Sequence, residues 1–294
     1  MITCSVGIIA YNEEQNIAGL IDRIFQQKLD SVLIKEIIIV ASGCTDKTLQ
    51  IAREHSLVDE RVIVIKEKER TGKWNAINLF IQKASTNVLV MISADVLPLE
   101  TTVQKLVAPF YNPLVGMTGS HVIPKNNPNS FMGYGVHFFW RMFDIVSRIT
   151  PKTGEMVAFR KVFNSMPANA VDEACIEFLI KQKNFSVKYI PDAIVLNKGP
   201  ETVGDFLSQR RRIWWGYFHF VHETNGEFSF VSPSFFKMVG LVIKTTEWNV
   251  QAITHVPVFI VIEAIGRILG WWDYTIAKKN HLIWRMAQTT KEHI

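Results

Sequence analysis

Four short segments bring together groups able to handle a phosphorylated ligand. Ser93-Ala94-Asp95 follows directly on the apolar run NVLVMI. A carboxylate released at the carboxyl end of a buried strand faces the crevice where open α/β sheets bind ligands, and a hard divalent cation bridging a diphosphate needs such an oxygen. Asp95 is therefore a candidate ligand for Mg²⁺ or Mn²⁺; its competing role is to cap the turn before Pro98. Arg70-Thr71-Gly72-Lys73 opens a helical segment, where backbone N–H groups and the Lys73 ammonium suit a phosphate, as does any solvated basic loop. Asp172-Glu173 begins another helix. Acids are favoured there by the helix dipole alone, and one of the two could instead be a general base for an acceptor hydroxyl. In Gln209-Arg210-Arg211-Arg212-Ile213-Trp214-Trp215, Gln209 and Arg212 share a helix face from which a guanidinium can grip diphosphate oxygens. A basic helix with Trp214 and Trp215 at a lipid headgroup level is the alternative.

The elements that must position these groups follow from the apolar pattern. From residue 2 to about 122, short β-branched runs alternate with helical periodicity, as in a parallel sheet with crossover helices. Strands are expected at 2–10, 36–41, 61–66 and 87–92, with helices at 47–55 and 73–83. Asn12 and Gln15 resemble a capping box ahead of Ile17, Leu20, Ile21, Ile24 and Phe25, whose spacing gives a helix one buried face. The polar stretch 124–130 reads as a surface loop joining two halves. Beyond it a helix is expected at 134–148, a strand at 155–160, a helix at 172–183, a strand at 186–191 and a helix at 202–222.

In this order the segments resemble the family-2 glycosyltransferases over about residues 3–216. SVGIIAYNEE looks like the family's first strand and nucleotide loop, and EIIIVASGCTDKT resembles its second strand and loop. RTGKWNAIN is similar to its Gly-Lys segment, SAD stands where the DXD metal motif belongs, DEACIEF resembles the Glu-Asp base helix, and QRRRIW resembles the Gln-x-x-Arg-Trp motif. The resemblance implies a GT-A fold: an α/β, Rossmann-like, mostly parallel central sheet flanked by helices, with a C-terminal amphipathic or apolar helical appendage. It divides the chain into a transferase domain at 1–225, with a nucleotide-sugar half at 1–122 and an acceptor half at 123–225, and a helical region at 226–294. It implies that Tyr11, Glu13 and Asp46 line the nucleoside side, that Ser42 and Ala94 are among the nucleotide-sugar contacts, that Lys73 approaches the phosphates, that Asp95 holds the metal, and that Gln209 and Arg212 grip the diphosphate. Glu173 then falls where the family's base aspartate sits, beside Asp172. The implied reaction is inverting transfer from a UDP- or GDP-sugar to a hydroxyl or lipid-phosphate acceptor, as in cell-surface polysaccharide or glycolipid synthesis. A sugar-phosphate nucleotidyltransferase and a non-catalytic nucleotide-sugar-binding scaffold share the layout. Ala41, Ser42 and Ser93 stand where the family usually has acids, and Ile213 where it has tryptophan.

Bulk properties narrow the partners. The 294 residues are 48% apolar, enough for a sizeable core, and 32 basic against 27 acidic side chains leave a formal charge of +5. That excess suits an anionic ligand or membrane surface and is too small to argue for nucleic acid. Three cysteines far apart form neither a disulfide framework nor a paired zinc motif. The first residues lack a secretory signal, so the expectation is a cytoplasmic catalytic domain. The stretch 235–272 is apolar but interrupted by Lys237, Lys244, Glu247, His255, Glu263 and Arg267. Glu263 and Arg267, four apart, could pair on one helix, and Trp271, Trp272 and Tyr274 suit an interface. The segment reads as a monotopic or re-entrant anchor on the cytoplasmic face of a membrane, or as a homo-oligomer interface.

Overall fold

The computed structural model describes residues 1–228, 240–244, 246 and 248–284. Of the interrupting charges, Lys237 and Glu247 lie outside the described residues, as do parts of the expected 226–294 region.

One eight-stranded sheet organises the chain, in the order β3-β2-β1-β4-β7-β6-β8-β5. Its first half comprises β1 (Ile2–Ala10), β2 (Val32–Ser42), β3 (Val62–Glu67) and β4 (Val88–Ser93), all parallel. The interiors of β1, β2 and β4 are almost entirely buried, because helices cover both faces; hence runs such as EIIIVA and VLVMI rather than an alternating pattern. On one face α1 (Ile17–Phe25) buries Ile17, Leu20, Ile21 and Ile24. On the other, α3 (Lys73–Lys83) buries Ala76, Ile77, Phe80 and Ile81. Phe80 lies so close over β1 that a Cβ on Gly7 would come within 2.6 Å of its ring. α2 (Thr48–Val58) connects β2 to β3.

After β4 the order changes. β5 (Val96–Pro98) and α4 (Thr102–Val107) lead to β6 (Val115–Pro124), then α5 (Phe131–Ile149) and β7 (Met156–Arg160), which inserts antiparallel between β4 and β6. α6 (Asp172–Gln182), β8 (Ser186–Asn197) and α7 (Val203–Glu223) follow. Only β5 and β7 run against the other six strands. The mixed α/β class matches expectation, while β5, α4 and β6 were not foreseen. β6, VGMTGSHVIP, has two glycines and three polar side chains yet is largely buried. Asn126, inside the expected surface loop, is buried and exchanges hydrogen bonds with the backbone of Gly199 at 2.7 and 2.9 Å.

Two local expectations change. Asn12 does not open α1: it takes φ +51° and its Oδ1 accepts from the Thr45 N–H at 2.8 Å, so it fastens the loop after β2, and the helix starts at Ile17. The strand expected at 186–191 continues to Asn197 through a register shift opposite Ser120 and His121.

The last described helix, α8 (Val250–Thr275), packs along α7. Contact is close enough that a Cβ on Gly266 would stand 2.7 Å from Arg210 Cβ, and one on Gly270 would stand 2.7 Å from the Arg211 carbonyl oxygen. Arg210 donates to Glu263 through Nη2 at 2.7 Å, Trp214 Nε1 donates to the same carboxylate at 2.8 Å, and Arg211 forks onto the buried Asp273 with one contact of 2.6 Å. Glu263 thus reaches across to α7, and the Arg267 guanidinium lies 4.5 Å from the Trp214 ring centroid. Ile253, Val261, Ile265, Ile268, Trp271 and Trp272 face outward and are exposed. By length and composition α8 could cross a membrane.

Candidate active site

The carboxyl ends of β1, β2 and β4 open onto one cleft of about 1720 Å³, closed on its far side by α5, α6, α7 and residues before β7. Tyr11, Glu13, Ser42, Ala94 and Asp95 reach it from the strand ends, Lys73 from the start of α3, Asp172 and Glu173 from the start of α6, and Gln209 and Arg212 from α7. Asp46 is placed differently. Its carboxylate accepts from the Thr48 N–H at 3.0 Å, the Thr48 hydroxyl at 2.6 Å and the Glu14 N–H at 3.1 Å, so it closes the turn leading into α2 and braces the loop from behind. Glu13, nearly buried, accepts from Asn16 Nδ2 at 3.0 Å.

A charge cluster forms the middle of the cleft. Lys73 Nζ stands 2.9 Å from Asp172 Oδ2 and 3.5 Å from Glu173 Oε1. Burial opposes the ammonium, but the two carboxylates outweigh it and hold Lys73 above its ordinary value. The acids diverge. Burial, reinforced by Glu173, pushes the Asp172 carboxyl up despite Lys73, and its Oδ1 is buried without a hydrogen-bond partner among the described residues. Burial acts the same way on Glu173, yet Lys73, a backbone N–H and Arg212 together outweigh it and hold its carboxyl below the usual range. Glu173 also keeps 23% of its side chain exposed against 3% for Asp172, so the more anionic of the two is the one a ligand can touch.

Two lining groups carried no motif. Glu155, expected only as the first residue of a strand, sits just before β7 at φ +57°. The Met156 N–H donates to the Gly154 carbonyl at 2.7 Å, closing a γ-turn centred on Glu155 in its rarer, strained positive-φ form. Burial, with the charges of Asp95 and Glu173, raises the Glu155 carboxyl from 4.5 up to about 8 against the pull of Lys73 and Arg212. Trp284 is the other. After α8 the chain turns back, and its indole lies 4.1 Å from the Arg212 guanidinium carbon and 5.7 Å from that of Arg70, which itself stacks 3.9 Å over Tyr11. The usable signals were an acid at a strand's first position and an aromatic beyond the last helix, both too common to single out.

Arg211 turns away to α8, and Arg210, although it also borders the cleft, is held by Glu263; Arg212 lines the cleft with Gln209 beside it. Among the described residues no group of three or more His, Cys, Asp and Glu side chains forms a ready metal cage. Ser93 and Asp95 face the cleft with Glu155. An oxygen-only pair of carboxylates suits Mg²⁺ or Mn²⁺, which are commonly held by one or two carboxylates completed by substrate phosphates.

The sequence profile described as glycosyl transferase family 2 matches residues 5–184, more than half of the chain. Poly-beta-1,6-N-acetyl-D-glucosamine synthase of Staphylococcus aureus (strain COL) is 23% identical over 220 residues, covering 70% of this chain and 52% of that protein. The uncharacterized glycosyltransferase YkcC of Bacillus subtilis (strain 168) is 33% identical over 94 residues, 32% of this chain and 29% of its own. The chain thus spans about half the length, or less, of these curated relatives. Among solved structures, the mannosyltransferase PcManGT from Pyrobaculum calidifontis in complex with GDP-Man and Mn²⁺ superposes with a TM-score of 0.64 at 18% identity, covering 94% of this chain and 88% of that one. Glucosyl-3-phosphoglycerate synthase from Mycobacterium tuberculosis, in complex with Mn²⁺, UDP and phosphoglyceric acid, gives 0.51 at 18% identity over 72% and 76%. At such identity these two likenesses concern the fold, which is GT-A-like.

Proposed function

The chain belongs to glycosyl transferase family 2, and from that premise we propose that it transfers a sugar from a UDP- or GDP-sugar to a hydroxyl or lipid-phosphate acceptor with inversion at the anomeric carbon. The observation that carries this reading is the convergence of Asp95, Lys73, Glu173 and Arg212 on one cleft. Glu173 is the base: it is anionic, reachable, and able to take the proton of an acceptor hydroxyl as that oxygen attacks the carbon opposite the departing nucleoside diphosphate. Arg212, with Gln209 beside it, meets the negative charge that builds on the leaving diphosphate, and Lys73 exchanges part of its bond to Asp172 for a phosphate oxygen. Asp95 would hold Mg²⁺ or Mn²⁺, which when bound neutralises diphosphate charge; the Mn²⁺ named with both structural neighbours supports that choice. Tyr11, Glu13, Ser42 and Ala94 shape the nucleoside side.

Residues 1–225 act as the transferase unit and 226–294 as its attachment. The outward apolar residues of α8, ending in Trp271 and Trp272, suit the cytoplasmic face of a membrane, which would bring a lipid-linked or growing glycan acceptor to the cleft; a second copy of the chain could cover the same face. Polysaccharide or glycolipid synthesis follows as the setting, in keeping with the name of the staphylococcal relative.

Asp95→Ala and Glu173→Gln test the reading. Each is expected to remove donor turnover, by roughly 10²-fold or more for the loss of a general base, while circular dichroism stays native. Wild-type turnover in both variants would dismiss the assignment. A thermal-shift series with UDP, GDP and their sugars, with and without Mn²⁺, identifies the donor, since a ligand bound only by the native state raises the melting temperature.

A further inference from the structure

We infer that Glu155 is the second carboxylate of the divalent-cation site, supplied by the neighbouring strand where Ser93 lacks one. The inference rests on the proposed use of a metal and concerns which residues of this chain hold it. Three observations lead there. First, β4 and β7 pair antiparallel up to Ile92 opposite Met156, so one further step along both chains sets residue 155 opposite Ser93, two residues before Asp95. Second, neither the Glu155 nor the Asp95 carboxylate accepts a hydrogen bond or sits within ion-pair distance of a cation among the described residues, although both line the same cleft. The neighbouring acids behave otherwise, since Asp172 and Glu173 both engage Lys73. Two such carboxylates, with no hydrogen-bonded or ion-paired partner among the described residues, keep oxygen lone pairs that a divalent cation can take up. Third, Glu155 holds a backbone conformation that side chains other than glycine and asparagine rarely adopt, closed by the Gly154–Met156 hydrogen bond. A glycine would fit that turn without strain, so the presence of glutamate there is explained by its side chain rather than by its backbone.

A hard cation entering between strands β4 and β7 would take one oxygen donor from each side and leave its remaining positions to water and the ligand's phosphates. The site needs no carboxylate at residue 93, and the departure from the expected acid-x-acid pattern becomes a relocation of the same charge.

Mn²⁺ titration of the chain without nucleotide, followed by calorimetry and by the electron paramagnetic resonance of free Mn²⁺, tests this. Glu155→Gln is expected to weaken Mn²⁺ binding by at least about tenfold, the lower bound seen even for residues that only support metal ligands, and Asp95→Asn to weaken it at least as far. Adding Ser93→Asp to Glu155→Gln returns the carboxylate to β4 and is expected to recover most of the loss. Glu155→Asn, tolerated at positive φ, replaces the glutamine variant if that one folds poorly, as judged by its melting curve. Unchanged Mn²⁺ affinity in Glu155→Gln overturns the inference and leaves the transferase reading standing. A wild-type chain that takes up no Mn²⁺, even with UDP or GDP present, overturns both the inference and the metal-dependent part of that reading.

Discussion

The two walls of the cleft are built on different physics. On the wall formed by β1, β2 and β4, the lining residues stand at the tips of strands whose interiors are apolar and sealed between α1 and α3. On the opposite wall they stand on α6 and α7, and what anchors those helices is charge as much as packing: Lys73 with Asp172 and Glu173, Arg210 with Glu263, Arg211 with Asp273. Apolar burial is nearly indifferent to pH and to charged ligands, whereas ion pairs answer to both. The first wall therefore works as a fixed frame, and the second as the side whose charges a bound ligand can redistribute.

The sharpest way to break this contrast is to delete one partner from each wall. Lys73→Met strands the Asp172 and Glu173 carboxylates, and removing one partner of a buried ion pair costs about 3–5 kcal/mol. Ile39→Ala, beneath the first wall, leaves a cavity at a cost of about 2–5 kcal/mol. Denaturant unfolding should find both losses similar at neutral pH, and only the Lys73→Met deficit should shrink as the pH is lowered and the stranded acids protonate. Equal behaviour of the two variants across pH would remove the distinction.

Next in size is the seam between α7 and α8. Gly270→Leu places a side chain where the Arg211 carbonyl lies within 2.7 Å of a Cβ, and overpacking of this kind costs about 1–3 kcal/mol. The same seam should be acid-sensitive. Burial works against the Asp273 anion, but Arg211 and His281 outweigh it and hold its carboxyl below the usual range. Its contribution is therefore complete above the ordinary aspartate value and is lost as pH falls through the lower folded one. Glu155 carries the opposite sign. Its carboxyl is raised to about 8, so in the absence of divalent metal, stability is expected to decline as pH rises from about 4.5 to about 8. Melting temperatures in chelator should lose that slope in Glu155→Gln and keep it in Asp273→Asn.

The smallest effect concerns Trp284. Cation–π contacts are worth about 0.5–2 kcal/mol, so freeing Arg212 and Arg70 in Trp284→Ala is expected to tighten UDP or GDP binding by about two- to thirtyfold, as read by calorimetry. Weaker binding would instead make the indole part of the ligand's own surface.

Legibility from sequence divides along the same line as the two walls. β1 and α3 have the bounds that their apolar periodicity predicts, and the Asp95, Glu173 and Arg212 segments converge as their order suggests. Where burial on both faces sets the composition, the pattern carries the structure. β6 escaped because Gly116 and Gly119 sit where Phe185 and Thr153 leave no room for a Cβ, so a central strand reads as a loop. Asp46 has a side chain suited to a pocket but satisfies backbone N–H groups at a helix start, a choice that only the loop's path decides. Glu155 and Trp284 depend on which strand neighbours which and on where the chain returns after α8, and neither relation has a local signature.

The two glycines that let α8 lie against α7 have a mechanical corollary. Helices that touch backbone to side chain at Gly266 and Gly270, and are stapled by two arginine forks, cannot slide past one another without breaking both. They form a single stiff lever, with an oily outer edge at one side and Arg212 at the other. A load along that edge would be expected to move α7 and α8 together, because both forks resist sliding.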